Sequence, residues 1–298
     1  MSIEELLKQN RPNLTDSSLR TYTSIIKSLY KKLRGNKDFD ADLFVEKPKE
    51  VISYLLDNKE PNARKTILSA LVVLTKHEPK VMDEYRKLML KDIDIYDNEK
   101  KEQEKSETEK ENWMSLDQIK QIYADLEKTV KPLFQKRLYN MNDLQNIQDY
   151  IILSMYILQP PRRLKDFTDF KIRNIDEEKD NYFDKKTKNL VYNSYKTSKF
   201  YNKQEVKVNP RLAQILKKWE QINPTEYLLF DYKQNKLRPD QLTRRLNSIF
   251  GKKISVNMLR HIYLSDGLLK DVPALKKMEE VAKDMGHSTT EQMLYKKK

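Results

Sequence analysis

The sequence contains no cysteine and has only four glycines and three histidines among its 298 residues. The lack of cysteine excludes disulfides, thiolate catalysis and cysteine-ligated zinc. His77, His261 and His287 are too few to predict a histidine-rich metal site. The scarcity of glycine disfavours strand-rich folds, which need many tight turns.

Long apolar runs are missing as well. None approaches the roughly 18 residues needed to span a bilayer, and the N-terminus has no apolar signal-peptide region. We therefore expect a soluble, intracellular protein, in cytoplasm or nucleus, with no membrane partner.

Charge is abundant and uneven in sign. Lysine and arginine number 58 against 45 acidic residues, which gives a formal net charge of +13. An excess of this size favours a polyanionic partner, most commonly nucleic acid. A lysine-rich genome that makes every protein basic would give the same count, so charge alone does not decide between them.

The first part of the chain has helical periodicity. Apolar residues recur at three- and four-residue steps after the N-cap candidates Thr15, Asp16 and Ser17, and Gly35 is a plausible stop. Further helices are expected over 48–56, 63–76 and 81–90. These segments predict a small helical domain over residues 1–95. The almost wholly charged run that follows has no apolar face, and we interpret residues 96–112 as a linker.

Residues 113–298 form the second predicted domain. It opens with a capping-box pattern at Ser115-Leu-Asp-Gln118, and a strong helix over 144–158 ends at Pro160-Pro161. Residues from about 180 to 208 are rich in β-formers, which predicts a small sheet among helices. The expected fold class is mainly α with a small antiparallel β-sheet: a helical N-terminal domain followed by an α+β domain.

Four clusters of reactive or cationic residues stand out in the second domain. Their sequences are Pro160-Pro-Arg-Arg-Leu-Lys-Asp166, Tyr195-Lys-Thr-Ser-Lys199, Asn257-Met-Leu-Arg-His261 and Met285-Gly-His-Ser288, the last followed by Tyr295. Each cluster alone has an ordinary structural interpretation, such as a solvated surface patch or a helix end. Their order along one chain is harder to attribute to chance.

Together the clusters resemble the tyrosine recombinase (phage-type integrase) family, over roughly residues 10 to 298. In that family an arginine after a helix is trailed three residues later by an acid, as Arg163 and Asp166 are here. A hairpin lysine corresponds to Lys196, and the His-x-x-Arg box corresponds to Arg260 with His261 directly after it. The Leu-Gly-His-Ser box and its downstream tyrosine correspond to His287 and Tyr295. The resemblance implies a helical core-binding domain and a catalytic domain.

Three features depart from the family pattern. Asn257 stands where the histidine of His-x-x-Arg is usual, and an amide donates a hydrogen bond but does not shuttle a proton near neutral pH. The neighbouring Arg162 is an alternative to Arg163 as the first catalytic arginine. The separation of His287 and Tyr295 is eight residues, where nine is commoner.

The resemblance implies that Tyr295 attacks a DNA phosphodiester and forms a 3′-phosphotyrosyl intermediate. Arg163 and Arg260 would clamp the phosphate, because guanidiniums stay charged and offer paired donors. Lys196 would protonate the leaving 5′-oxygen. His287 would donate to the phosphate, and His261 would accept a proton or buttress the arginines. No metal or cofactor is expected, and no Gly-x-x-x-x-Gly-Lys motif is present.

The expected partner is double-stranded DNA, with a homotetramer acting on two sites and accessory DNA-bending proteins as further partners. The candidates for DNA contacts are Arg162, Lys199, Arg64, Lys65, Arg244 and Arg245, with Lys27, Lys31 and Lys203 as further backbone contacts. Three alternatives stay open: a type IB topoisomerase, a non-catalytic DNA-binding relative of the recombinases, and a generic basic RNA-binding protein.

Overall fold

The computed structural model describes residues 2–286, 288–290 and 293. The chain divides into two compact units. One takes in Met1–Glu104 and the segment that begins at Pro273; the other spans Lys105–Val272.

The first unit is built from helices whose ends carry the expected signals. Thr15 caps α2 by accepting a hydrogen bond from the Ser18 amide at 3.2 Å, and Gly35 ends it with a φ of 70°. Proline stands at the first position of α4, α5 and α6. The helices are α1 (Ile3–Asn10), α2 (Asp16–Arg34), α3 (Leu43–Glu46), α4 (Pro48–Asn58), α5 (Pro61–Leu74) and α6 (Pro79–Glu102).

A buried ion pair links two helices of this unit. The side chain of Arg64 on α5 is buried and donates to both carboxylate oxygens of Asp92 on α6, with Nε 2.7 Å from Oδ2. Tyr85 on α6 is fully buried and donates its hydroxyl to the Phe44 carbonyl at 2.8 Å. These contacts join α6 to α5 and α3 in addition to the shared apolar core.

The charged segment predicted as a linker is largely helical. α6 continues to Glu102 and ends at Gln103, whose φ of 54° is left-handed. Ser106 then starts α7 (Glu107–Asn112) through a capping box with Glu109. The hydrogen bonds of this capping box stabilise the start of a helix that has no apolar face to bury. The boundary between the compact units follows Glu104 and so lies within this segment.

The second unit surrounds one buried helix, α9. Gln148 on this helix is fully buried and satisfied, because its side chain accepts from the Phe230 amide at 2.8 Å and donates to the Phe230 carbonyl at 2.9 Å. The helices are α8 (Leu116–Val130), α9 (Met141–Ile157), α10 (Leu164–Thr168), α11 (Ser198–Tyr201), α12 (Pro210–Ile222), α13 (Pro239–Phe250) and α14 (Val256–Ile262); a 3-10 turn (Leu133–Gln135) precedes α9 and a π-helical turn (Tyr263–Leu268) follows α14.

A four-stranded sheet packs within this unit in the order β1-β2-β3-β4. The strands are β1 (Phe170–Lys171), β2 (Asn181–Asp184), β3 (Asn189–Tyr192) and β4 (Gln204–Lys207). The pairs β2–β3 and β3–β4 are antiparallel as expected, but β1 pairs with β2 in parallel. The expected fold class, mainly helical with a small sheet, is confirmed, while the sheet is mixed rather than purely antiparallel.

The last described helix, α15 (Leu275–Asp284), groups with the first unit. The Leu275 amide donates to the Gln103 side chain at 2.7 Å, and Lys276 pairs with Glu102 at 2.8 Å. This grouping differs from the prediction that 113–298 form one domain. No helix in the described parts of the chain is long and apolar enough to cross a membrane.

Candidate active site

The paired arginines between α9 and α10 have different surroundings. The Arg162 guanidinium donates to Asp166 at 2.9 Å and to the Gln204 side chain on β4 at 3.0 Å. It also lies over the Tyr192 ring, 3.9 Å from the centroid. The half-buried Arg163 is the N-cap residue of α10, and its side chain has no hydrogen bond or ion pair to any described residue. The Arg162 guanidinium is therefore held by partners within the protein, whereas the Arg163 guanidinium has none among the described residues, and the choice of first catalytic arginine stays a prediction.

Asp166 is the anionic partner of this turn. Its carboxyl is almost fully buried, and burial raises its pKa while the neighbouring Arg162 acts in the opposite direction. One carboxylate oxygen, Oδ1, accepts no hydrogen bond from the described residues. The acid that trails the arginine by three residues thus serves Arg162, although the Arg163 charge also lowers its pKa.

A buried asparagine joins this turn to the loop that carries Lys196. Asn181, at the start of β2, donates to the Asp166 carbonyl at 3.2 Å and to the Ser194 carbonyl at 2.8 Å. Its side-chain oxygen accepts from the amides of Asn193 and Ser194, both at 2.9 Å. Because every polar group of this amide is used, the two segments are held on one frame.

Lys196 lies in the β3–β4 connection, residues 193–203. The loop is fastened at its base, since the buried Tyr195 donates its hydroxyl to the Asn202 carbonyl at 2.6 Å. Lys196 itself is exposed and makes no ion pair or hydrogen bond within the described residues. The predicted hairpin position is therefore correct, although the connection is longer than a tight turn and contains α11.

The third cluster lies on α14. Ser255 caps the helix by accepting from the Met258 amide at 3.1 Å. Leu259 and Ile262 face inward and line a cavity of about 160 Å³ together with residues from the end of α9, including Tyr156 and Ile157. α14 is thus packed beside the end of the helix that leads into the Arg162–Arg163 turn.

The polar face of α14 carries the candidate residues. Arg260 is half-buried and has no side-chain partner among the described residues, and Asn257 is exposed. His261 is also exposed, and its Nδ1 lies 3.1 Å from Glu109 on α7. Hydrogen bonds from Ser106, with a further one from His261, keep the pKa of Glu109 below its ordinary value. His261 is therefore already engaged on one ring nitrogen.

The arginines of the second unit divide clearly by partner. Seven of its nine arginines either bind an internal acceptor or, like Arg137, are fully exposed. Arg163 and Arg260 are the two half-buried ones with neither hydrogen bond nor ion pair in the described part of the chain. Partial burial of a guanidinium without a hydrogen-bond acceptor costs free energy, and binding of an anion from outside the chain would offset this cost.

Two predicted site residues, His287 and Tyr295, lie outside the described residues. α15 ends at Asp284 with Met285 as its C-cap residue, and the following Gly286 has a left-handed φ of 72°. The roles of His287 and Tyr295 stay predictions from the sequence.

Some of the predicted DNA contacts have partners within the protein, and others have none among the described residues. Arg64 and Arg245 have partners within the protein: Arg64 is buried against Asp92, and the half-buried Arg245 binds Asp149 and Gln145. Lys203 binds Glu205 at 3.0 Å and Arg244 binds Asp240 at 2.8 Å, both at exposed positions where such pairs are weak.

Other predicted DNA contacts remain accessible. Lys65 lies over the Tyr96 ring, 2.8 Å from the centroid, and the exposed Lys199 has no partner among the described residues. Lys27 and Lys31 are exposed on α2. None of these positions is tested further by the geometry, and each stays a prediction.

Sequence reasoning missed Asn181 and Gln204 as supports of the site. Neither lies in a charged or reactive cluster, and the sequence contains many asparagines and glutamines. The available signal was weak: Asn181 stands directly before Tyr182 and Phe183 at the start of a β-rich segment, where a buried amide needs several partners.

Comparison with known proteins gives little beyond the fold. No family model matches the chain, and no curated protein matches it. Among solved structures, the chain is similar to one described as the crystal structure of XerA recombinase, at 11% identity and a TM-score of 0.38, covering 98% of this chain and 92% of that one. A likeness at that score carries no argument about activity or site residues.

Proposed function

We propose that this protein cuts and rejoins double-stranded DNA in site-specific recombination, through a 3′-phosphotyrosyl bond to Tyr295. The observation that carries the proposal is the pair of half-buried, acceptor-free guanidiniums of Arg163 and Arg260. They belong to segments packed beside one another, and Asn181 ties the first of those segments to the Lys196 loop.

The residues divide the chemistry between them. The Tyr295 hydroxyl oxygen attacks phosphorus, and the bond from phosphorus to the 5′-oxygen breaks. The phenol gives up its proton, with His261 as an acceptor, and the Lys196 ammonium supplies one to the leaving oxygen. Arg163 and Arg260 hold the two nonbridging oxygens as negative charge grows there. Asn257 and His287 each add one hydrogen bond to the phosphate.

The phosphotyrosyl bond keeps the energy of the broken phosphodiester for rejoining, so the reverse attack by a 5′-hydroxyl restores a DNA strand. Joining of separate duplexes requires two cleaved sites held together. We therefore include a homotetramer on two DNA sites in the proposal.

A covalent-trapping experiment tests this function. DNA from both flanks of the gene, nicked or carrying a bridging phosphorothioate, is mixed with the protein and run on a denaturing gel. A protein–DNA adduct is expected with the wild type and absent with Tyr295→Phe. Tyr232→Phe is the matched control, because Tyr232 is an exposed tyrosine outside the candidate site.

Two results would contradict parts of this proposal. If the wild type forms no adduct on DNA that it binds specifically, the catalytic proposal is wrong and the protein is a DNA-binding relative. If monomeric protein relaxes supercoiled plasmid and never joins separate molecules, the chemistry stands but the function is that of a topoisomerase.

A further inference from the structure

The β3–β4 loop presents two aromatic side chains to solvent. Phe200 is 82% exposed and Tyr201 is 66% exposed, both on α11. A third aromatic residue of the same loop, Tyr195, is buried. The loop therefore has an inward position for an aromatic ring and still directs two others outward, which leaves a large apolar area in water.

The charge of the loop identifies what would cover these rings. Residues 193–203 contain Lys196, Lys199 and Lys203 and no acidic residue. Lys196 and Lys199 have no ion pair in the described part of the chain, and Lys203 binds Glu205 outside the loop. An apolar protein partner would not need this cationic border. A polyanion with flat apolar faces, which is nucleic acid, matches both properties.

The loop is also held in an orientation that keeps the rings outward. Asn181 anchors the backbone at Asn193 and Ser194 on one side. On the other side, the Tyr195 hydroxyl fixes the Asn202 carbonyl, and Asn202 takes a left-handed φ of 53° that turns the chain back into β4. Contacts within the chain supply this ordering, so the entropy cost of presenting the rings to a partner is lowered.

We propose that Phe200 and Tyr201 stack on DNA bases at a point where the duplex is opened, while Lys199 contacts the adjoining backbone. The inference rests on the proposed function in taking DNA as the partner. Apolar side chains inserted at a base step, and aromatic rings stacked on unpaired bases, are established ways of gripping DNA without reading its sequence.

The test measures binding and not cleavage. Two short duplexes are compared, one fully paired and one carrying 2-aminopurine opposite an abasic site, by fluorescence anisotropy and by 2-aminopurine quenching. Phe200→Ala and Tyr201→Ala are each expected to weaken binding to the opened duplex about tenfold and to remove quenching. Lys199→Gln is expected to keep the quenching and to lower the slope of log affinity against log salt by about one.

The matched control is Tyr232→Ala, since Tyr232 has the same 66% exposure as Tyr201 and lies in the same unit. It should bind both duplexes as the wild type does. Equal affinities and equal quenching for Phe200→Ala and Tyr232→Ala would overturn the proposal. So would a loss of self-association in Phe200→Ala without DNA, which would assign the rings to a second copy of the chain.

Binding and adduct formation together separate the stacking role from the proposed function. A protein that shows the Phe200 effect but never forms an adduct would retain the stacking role and lose the catalytic one. A protein that forms the adduct with Phe200→Ala unchanged in binding and quenching would retain catalysis and lose the stacking role.

Discussion

The Arg162 guanidinium lies 3.9 Å above the Tyr192 ring and is held there by Asp166 and Gln204. Burial of the Tyr192 hydroxyl raises its pKa, so this ring stays neutral and offers its π face to the cation. Arg162 thereby connects the α9–α10 turn to two strands of the sheet. We regard it as a positioning residue for Arg163.

Replacement of Arg162 tests that positioning role. Arg162→Lys keeps the positive charge but loses the planar stack and the second donor. We expect the rate of adduct formation to fall about 100-fold, because small displacements of a reacting group are costly, while DNA affinity stays near wild type. Single-turnover kinetics and anisotropy measure the two quantities. Gln204→Ala removes only one hydrogen bond of Arg162 and should lower the rate of adduct formation less. If Arg162→Lys lowered the rate and the DNA affinity equally, the positioning role of Arg162 would be contradicted.

Removal of the acceptor-free arginines should affect chemistry without affecting folding. Arg163→Ala and Arg260→Ala are each expected to slow adduct formation by about 10²–10³-fold, the usual loss when one donor to a developing negative charge is removed. Their melting temperatures should not fall below that of the wild type, because neither side chain has an internal partner in the described part of the chain.

Arg245→Ala provides the contrast for those two variants. It leaves Asp149 without the Nε hydrogen bond of 2.8 Å, and burial already raises the Asp149 pKa. We expect the free energy of unfolding to fall by about 2 kcal/mol, measured by urea titration. A similar loss in Arg163→Ala would show that Arg163 is structural.

The Arg64–Asp92 pair predicts a large effect in the first unit. Asp92→Ala leaves a buried guanidinium without its carboxylate, which costs about 3–5 kcal/mol of stability. The double variant Arg64→Met with Asp92→Leu removes both charges and should recover most of that loss. Urea unfolding of the full chain measures both. Equal destabilisation by the single and double variants would contradict the assigned burial cost.

The Ser106–Glu109 capping box predicts a dependence of stability on pH. The folded-state pKa of Glu109 lies below its ordinary value of 4.5, so the ionised side chain stabilises the fold above that pH. The contribution is lost as pH falls through the folded-state pKa. Glu109→Gln keeps the capping acceptor but not the charge, and it should lower stability at neutral pH by about 0.5–1 kcal/mol. Once the pH is below that folded-state pKa, the difference in urea midpoint should vanish.

Much of the architecture could be predicted from local signals. Thr15 and Ser115 were recognisable as N-caps because a side-chain oxygen followed by a helical apolar period specifies a helix start within a few residues. The sheet was also predicted. Its parallel β1–β2 pair was not, since the two residues Phe170 and Lys171 carry no alternation that a strand prediction can use.

What could not be predicted depends on contacts between distant residues. α6 extends well past Leu90, and two of the contacts along this extension involve distant residues: Asp92 binds Arg64, and Glu102 pairs with Lys276. The sequence left Arg162 open as an alternative to Arg163, and the contacts of Arg162 with Asp166, Gln204 and Tyr192 distinguish the two side chains. Likewise nothing in the local sequence marks Arg64 as the partner of Asp92, so its burial in an ion pair could not be predicted.

The hydrogen bonds at the two ends of the Lys196 loop have a consequence for the evolution of such a protein. Asn181 and Tyr195 hold the base of the loop, while 197–201 contribute little to the buried core. Substitutions there can accumulate without unfolding the sheet, so the strength of the DNA contact proposed for this short stretch can change while the fold is kept. A randomised library limited to those five positions is expected to yield folded variants that differ in DNA affinity.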